Sequence, residues 1–200
     1  MSETPMELPP LTEAIVQDIV YAWCYRAKHE VTVPNCGSVW GPEADVASMT
    51  RTRLGHAFEI KVSRSDWLAE LRHIRGDCRC HEGRYDCAKF ARAETLTNAK
   101  AKAEETARVA EAGSNCCGRV PPSYFWVVTA PGIVRDGELP DYAGLMEVEP
   151  YRFGAVQAHG YMVREVRPAP RLHRVKLLDN QLMAMARGVT LRYWQNGRAA

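Results

Sequence analysis

The sequence predicts a single α/β domain, residues 1–200, in which helices flank a central sheet. Apolar and polar side chains alternate through residues 58–63, FEIKVS, and this two-residue period is that of a strand with one apolar face. Residues 11–29 instead place their large apolar side chains at helical spacing. Ser63, followed three residues later by Asp66, is typical of a capped helix start. With 200 residues, 46% of them hydrophobic, the chain can bury one full core.

The N-terminal part is expected to supply one helix and two strands before the alternating strand. Residues 1–10 form a polar, proline-containing lead that we expect to be flexible. The first helix, over residues 11–29, has Thr12 available as its cap, and residues 31–34 are a short strand candidate. Residues 44–49, ADVASM, form a second strand candidate. The basic, turn-like loop after it would allow antiparallel pairing with the alternating strand.

The C-terminal part is expected to contain an insertion, two strands and a closing helix. Residues 72–118 carry several cysteines and a long stretch rich in Ala, Lys and Glu, which predicts a cysteine-containing insertion with exposed helices. Residues 123–129, SYFWVVT, are typical of a buried central strand, and residues 145–149 are another strand candidate. Two prolines interrupt regular structure in the tail, before an amphipathic helix over residues 178–189.

Composition and charge exclude some classes of protein. No apolar run approaches the ~20 residues that a bilayer-crossing helix needs, and the N-terminus lacks the basic start and apolar centre of a signal peptide. These observations predict a cytoplasmic protein with no membrane partner. Residues 1–50 carry a charge balance of −5, whereas residues 161–200 carry eight basic and two acidic side chains, a balance of +6. The C-terminal end is therefore suited to contact polyanions.

Two carboxylates and a lysine form the clearest candidate site. Glu59 and Lys61 leave the same face of their strand, and Asp45 lies on the neighbouring strand candidate. If the two strands pair, Asp45 and Glu59 can share one divalent ion. The alternative is a cross-strand salt bridge among the three side chains, which contributes little to stability at a surface.

The order of these residues resembles a known nuclease superfamily. Asp45, then Glu59-x-Lys61 on the next strand, then a helix, is similar to the PD-(D/E)XK pattern. The segment EIKVSRSDWLAELR resembles in particular its MmcB-like group of DNA-repair nucleases and their phage relatives. The likeness continues through SYFWVVTAPGI, ELPDYAGLMEVE and APRLHRVKL, outside the cysteine-bearing insertion. It implies a restriction-endonuclease-like fold, with a central mixed sheet flanked by helices.

The resemblance also implies a chemistry. Asp45, Glu59 and the backbone carbonyl of Ile60 would bind Mg²⁺ or Mn²⁺, because hard oxygen ligands suit these ions. Lys61 would orient or deprotonate the attacking water and offset developing negative charge. The predicted function is metal-dependent hydrolysis of phosphodiester bonds of DNA in repair, replication or phage DNA metabolism. RNA remains an open alternative as the substrate.

The cysteines form a second constellation. Seven cysteines in a cytoplasmic protein are expected to stay reduced, so metal binding or burial explains them better than disulfides. A structural Zn²⁺ takes four thiolate or imidazole ligands. The candidate ligands lie towards the two ends of the insertion: Cys78, Cys80, His81, Cys87, Cys116 and Cys117. Because their spacing is not that of a standard zinc finger, a flexible insertion with incidental thiols is the alternative. His73 has no identified ligand partner in the sequence and is not assigned to catalysis.

Basic side chains near the motif and in the tail are candidate DNA contacts, because Lys and Arg supply most contacts to phosphate. Five positions are assigned to this role: Arg53, Arg64, Arg171, Arg174 and Lys176. A solvated basic loop is the alternative for the tail.

Two other functions stay open. The chain could be a catalytically inactive nuclease-fold protein that binds nucleic acid or a partner, with or without structural zinc. It could also be a zinc-stabilised adaptor whose insertion carries the partner contact. The complete set of Asp45, Glu59 and Lys61 favours the enzyme, because a binding protein does not need all three. The form of the substrate and the oligomeric state do not follow from the sequence.

Overall fold

The computed structural model of the chain describes residues 8–41, 43–78, 87–113, 118–151 and 158–197. Its strands are β1 (His29–Cys36), β2 (Ala44–Thr50), β3 (Gly55–Lys61), β4 (Tyr124–Thr129), β5 (Ala143–Pro150) and β6 (Tyr161–Arg167). Its helices are α1 (Glu13–Arg26), α2 (Arg64–Arg75), α3 (Ala88–Thr97), α4 (Ala99–Glu111) and α5 (Asp179–Gly197).

The strands of the described residues form one sheet whose spatial order, from β1 to β6, is their order along the chain. The pairs β3–β4 and β4–β5 are parallel, whereas β1–β2, β2–β3 and β5–β6 are antiparallel. A parallel pair requires a long crossover, and α2, α3 and α4 lie in the one that joins β3 to β4. The predicted mixed sheet flanked by helices, and the antiparallel pairing of β2 with β3, are confirmed.

Helix α1 packs on one face of the sheet. Thr12 caps it as predicted, because its hydroxyl accepts a hydrogen bond from the Ile15 N–H at 3.3 Å. Ile19 on the inner side of the helix is fully buried with Phe58 of β3 and Trp126 of β4. Burial of such large apolar side chains is the main favourable contribution to folding.

Helix α2 packs on the opposite face. The Ser63 hydroxyl accepts a hydrogen bond from the Asp66 N–H at 3.1 Å, as the predicted helix cap requires. Trp67 and Leu71 of α2 are buried in a second cluster with apolar residues of β3 and β4. Every residue of β3 is buried, so the predicted polar face of this strand lies beneath helices and not in water.

The closing helix α5 covers the part of the sheet formed by β1 and β2. Met185 of α5 is buried with Val33 of β1 in a third apolar cluster. Gln181 is also buried, and its amide donates to the Val39 and Val120 carbonyls at 2.9 Å each. These contacts tie α5 to the segment that leads into β4. No helix of the described residues is both long enough and apolar enough to cross a membrane.

Three regions differ from the expectation. Strand β6 lies in the tail, where no strand is predicted, because only Tyr161 and Val163 are buried in this edge strand and its alternation is weak. Helix α2 runs to Arg75, so residues 72–75 belong to it and not to the insertion. The helices of the insertion are not fully exposed, since both α3 and α4 bury alanines against their neighbours. Alanine side chains are small, so these helices can pack closely against their neighbours. The sequence therefore lacks the large apolar residues that would have predicted this burial.

Gly76 shapes the junction between α2 and α3. It ends α2 with φ of 77°, a left-handed conformation that favours glycine. A Cβ at this position would also lie 3.2 Å from the ring of Phe90 in α3. The absence of a side chain therefore lets α3 pack closely against the end of α2.

Candidate active site

Asp45 lies at the start of β2, beside the end of β3. The Ile60 N–H donates to Asp45 Oδ2 at 2.6 Å, so the backbone of β3 holds this carboxylate. On the other side, the amide of buried Gln17 in α1 donates to the Asp45 carbonyl at 3.3 Å and to Asn35 Oδ1 at 2.7 Å. The strand pairing predicted from the sequence thus brings Asp45 to the motif on β3.

Glu59 and Lys61 lie on the face of β3 that packs against α2 and α3. The Lys61 ammonium donates to Glu59 Oε1 at 2.8 Å. Glu59 is only 4% exposed and Lys61 only 6% exposed. The two residues form a buried ion pair, whereas the sequence had suggested either a metal site or a salt bridge at the surface.

Helices α2 and α3 add three charged residues that the sequence did not assign. Arg92 joins two carboxylates, because one guanidinium nitrogen donates to Glu59 Oε2 at 2.7 Å and another to Glu70 Oε1 at 2.8 Å. Lys89 Nζ lies 2.5 Å from Glu70 Oε2, and Lys61 Nζ lies 3.6 Å from the same oxygen. We call Glu59, Lys61, Glu70, Lys89 and Arg92 the buried charge cluster.

The buried charge cluster acts as one unit. Glu70 is only 2% exposed, and its neighbour Arg92 also stacks over the Phe125 ring at 5.4 Å. Removing one partner of a buried ion pair leaves an uncompensated charge, which is strongly destabilising. Each carboxylate of the cluster therefore depends on cations from α3 as well as on Lys61. A cavity of about 390 Å³ with mainly apolar walls borders Arg92, between α3 and the sheet.

The cluster alters the acid–base behaviour of its central pair. Burial opposes ionisation of Glu59, but Arg92 and Lys61 outweigh burial and lower the pKa of this carboxyl group to about 2. Burial likewise disfavours the Lys61 ammonium, yet the surrounding carboxylates, Glu59 first, raise its pKa above the ordinary value of 10.5. Lys61 is therefore a fixed cation at neutral pH, which argues against its deprotonating a water.

Asp45 behaves in the opposite way. Burial and the nearby charge of Glu59 raise its pKa to about 7. The hydrogen bond from Ile60 and the charge of Lys61 oppose this shift without reversing it, and Glu13 of α1 adds a smaller upward contribution. Among the described residues Asp45 has no ion-pair partner within 4 Å. A divalent cation between Asp45 and Glu59 would supply the missing positive charge, so the donor set fits Mg²⁺ or Mn²⁺.

Replacing Asp45 by Asn is expected to stabilise the metal-free protein at pH 8 but much less at pH 4. The raised pKa means that the folded state holds this proton more tightly than the unfolded state, so the stability that depends on Asp45 falls as pH rises from about 4 to about 7. The amide can still accept from the Ile60 N–H. We expect a gain of roughly 1 to 3 kcal/mol at pH 8 in urea unfolding with EDTA.

The matched control for this prediction is Asp136→Asn, which makes the same change at an exposed carboxylate in the loop between β4 and β5. An equal effect of Asp45→Asn at both pH values would contradict the assignment of a strained carboxylate at this position.

A second group of ligand atoms lies where α2 and α3 meet. One ligand atom each from His73, Cys78 and Cys87 lies within 4.8 Å of the others, and His73 Nδ1 is 3.2 Å from Cys87 Sγ. Two predicted ligands therefore belong to a candidate metal-binding group. His73 was not among the predicted ligands, and helix α2 brings it to the cysteines. Four other predicted ligands lie outside the described residues: Cys80, His81, Cys116 and Cys117.

Two of the predicted DNA-contacting arginines make contacts within the protein. Arg53 donates to the Leu177 carbonyl at 2.8 Å and to Asp179 Oδ1 at 2.7 Å. Arg64 forms a bidentate ion pair with Glu138, in which both N···O distances are 2.5 Å. These contacts give both arginines a structural role, with which a phosphate would have to compete.

The other three predicted DNA contacts lie exposed between β6 and α5: Arg171, Arg174 and Lys176. The Leu172 N–H donates to the Ser123 carbonyl at 2.9 Å, so this segment passes the beginning of β4. Ser123 precedes Val127, the β4 partner of Glu59, by four residues. At about 3.3 Å per residue, roughly 13 Å along the strands separate the tail from Glu59. The structure therefore keeps the tail apart from the buried charge cluster.

The sequence contains weak signals for the residues that were missed. Glu70 follows Trp67 by three residues and precedes Leu71, so helical periodicity places it on the buried face of α2. Arg92 precedes buried Leu96 by four residues on α3. An alanine-rich helix with so few large apolar residues does not reveal which of its charged residues turn inward.

Comparison with known proteins gives a likeness of fold. No protein-family model matches the chain. No curated protein matches it either. Among solved structures, the chain is similar to a protein of unknown function from Silicibacter pomeroyi, with a TM-score of 0.52 and 15% sequence identity. The match covers 97% of this chain and 92% of that protein, so the two share an overall architecture of helices around a mixed sheet.

Proposed function

We propose that this chain is a nuclease of restriction-endonuclease-like fold that hydrolyses phosphodiester bonds of DNA with Mg²⁺ or Mn²⁺. The observation that carries the proposal is that the Asp45 carboxylate of β2 accepts a hydrogen bond from the Ile60 N–H of β3, next to the ion pair of Glu59 with Lys61. Two carboxylates beside a strand backbone suit a hard divalent cation, and the unbalanced charge of Asp45 favours its binding.

Asp45, Glu59 and the backbone carbonyl of Ile60 would hold the ion. Each Glu59 oxygen accepts one hydrogen bond, from Lys61 or from Arg92. A carboxylate oxygen has a second lone pair, so neither cation has to leave. The chemistry that a divalent ion would supply there is the activation of a water and the neutralisation of charge on the phosphate. Lys61, as a fixed cation, would orient that water and offset the developing negative charge.

The His/Cys group is proposed to bind zinc as a structural ion. Thiolate and imidazole ligands together suit Zn²⁺ better than the hard ions expected at Asp45 and Glu59. Three protein ligands leave one position of a tetrahedron for a water or for another of the predicted ligands. Zinc at this place would serve the cysteine-containing insertion rather than the hydrolysis itself.

A nucleic-acid-binding protein without catalytic activity is the second candidate. The observation that favours it is the burial of Glu59, both of whose oxygens are already paired with cations. Such a network can serve structure alone. The same fold would then present the basic tail to nucleic acid without any hydrolysis.

The two candidates are separated by incubating the purified protein with labelled duplex, single-stranded and branched DNA and with RNA. Each substrate is tested with Mg²⁺, with Mn²⁺ and with EDTA. Cleavage that requires metal supports the nuclease and names its substrate. Binding without cleavage across the whole panel would favour the second candidate.

Replacing Arg171 and Arg174 together by Ala is expected to weaken DNA binding and to flatten its dependence on salt. Both side chains are exposed, and each phosphate contact contributes about one released counterion to the salt slope. The slope should therefore fall by up to about two. The matched control removes two exposed lysines of α4 with Lys100→Ala and Lys102→Ala, and a slope unchanged in the tail variant would reject the assignment.

A further inference from the structure

We propose that a zinc ion bound by His73, Cys78 and Cys87 fixes the position of α3 and thereby holds the cations of that helix against the buried charge cluster. The metal and its effect on α3 stand without any assumption about catalysis. Their consequence for hydrolysis rests on the proposed nuclease function.

The three ligands come from both sides of one junction. His73 lies in the last turn of α2, Cys78 follows the Gly76 cap by two residues, and Cys87 immediately precedes α3. Their ligand atoms, all within 4.8 Å of one another, are close enough to bind one ion. An ion at this place would join the C-terminal end of α2 directly to the N-terminal end of α3.

Helix α3 needs such a tether because its own apolar contacts are few. Its buried residues are Ala93 and Leu96, and Phe90 contacts the junction at Gly76. An ion that joins the helix ends would replace many weak contacts with strong bonds.

The first turns of α3 carry the cations that the cluster requires. Lys89 and Arg92 follow Cys87 by two and five residues. Arg92 contacts both carboxylates of the cluster, and Lys89 contacts Glu70 at 2.5 Å. A shift at the start of α3 would therefore remove two of the three cations at once and leave buried carboxylates with Lys61 alone.

This arrangement makes Arg92 a positioning residue for the proposed nuclease. Its guanidinium holds Glu59 Oε2, which leaves Oε1 turned towards Lys61. Loss of zinc would release Arg92 and let Glu59 leave the orientation in which it can share an ion with Asp45. We therefore expect zinc removal to lower Mg²⁺-dependent cleavage at least tenfold, and re-added zinc to restore it.

The test measures zinc content and hydrogen exchange on the full-length protein, kept under reductant and without Mg²⁺. Purified protein should contain about one zinc per chain. A zinc-selective chelator should increase amide exchange in residues 88–97 at least tenfold, leave β4 unchanged, and be reversed by added Zn²⁺. Absence of zinc, or bound zinc whose removal leaves exchange in α3 unchanged, would overturn the proposal.

Two variants sharpen the test. Cys87→Ser should lose zinc and show fast exchange in α3, whereas Cys24→Ser, at a buried cysteine of α1, should retain both zinc and protection. If Cys87→Ser does not fold, chelation of the wild type still decides the outcome. If the zinc-loaded wild type cuts no substrate while α3 still responds to zinc, the nuclease function fails and the tether stands.

Discussion

Replacing Glu59 by Gln is expected to abolish Mg²⁺-dependent cleavage, with a loss of about a thousandfold or more. Activation of water and stabilisation of charge by a metal ion each contribute several kcal/mol to lowering the barrier. The amide removes the negative charge that binds the ion but keeps one oxygen that can accept from Lys61 or Arg92. Glu59→Ala would be a poorer test, because both cations would then face an empty space in a buried site.

Single-turnover cleavage assays over a range of Mg²⁺ concentrations measure this loss. Glu105→Gln removes an exposed carboxylate on α4 and serves as the matched control, with activity equal to the wild type. Lys61→Met should also remove turnover but should leave metal binding intact, since a fixed ammonium is not a ligand. Equal cleavage by the wild type and Glu59→Gln would show that the reaction takes place elsewhere.

Replacing Arg92 by Met is expected to destabilise the protein by about 3 to 5 kcal/mol. The variant keeps the aliphatic bulk beside Phe125 but leaves one oxygen of Glu59 and one oxygen of Glu70 without the guanidinium that each accepts from in a buried site. For a chain of this size, the melting temperature should fall by about 6 to 20 °C. Thermal and urea unfolding at pH 7 measure the change.

The control is Arg108→Met on α4, which breaks an exposed ion pair with Glu105 and should change stability by less than about 1 kcal/mol. A loss below about 1 kcal/mol for Arg92→Met would mean that the cluster is hydrated and contributes little to stability.

The sequence predicted the fold well where local signals and burial agree. Thr12 and Ser63 both cap helices as their positions indicated, and the alternating strand around Glu59 lies in the centre of the sheet. Strand β6 was not predicted, because an edge strand with half-exposed side chains has no clear alternation of apolar and polar residues. The buried faces of α3 and α4 were not predicted, because alanines pack closely there without producing an apolar periodicity in the sequence.

The candidate site was predicted in its centre but not in its surroundings. Asp45, Glu59 and Lys61 could be placed together because strand period and strand pairing are local properties of the chain. Arg92 lies thirty-three residues from Glu59, beyond the reach of any periodicity, and only the packing of α3 brings it to the carboxylate. His73 was not predicted as a candidate ligand for the same reason, since the end of α2 and the junction with α3 separate it from Cys87 along the chain.

The ion pair of Arg64 with Glu138 gives the two sides of the site unequal stiffness. Glu138 also accepts from the Trp67 indole at 3.0 Å, so a single carboxylate fastens the loop between β4 and β5 to helix α2. Helix α3, on the other side, meets α2 at Gly76 and at the candidate metal-binding group. We therefore expect any opening of the site to be one-sided, with the loop and α2 moving together and α3 moving separately from them.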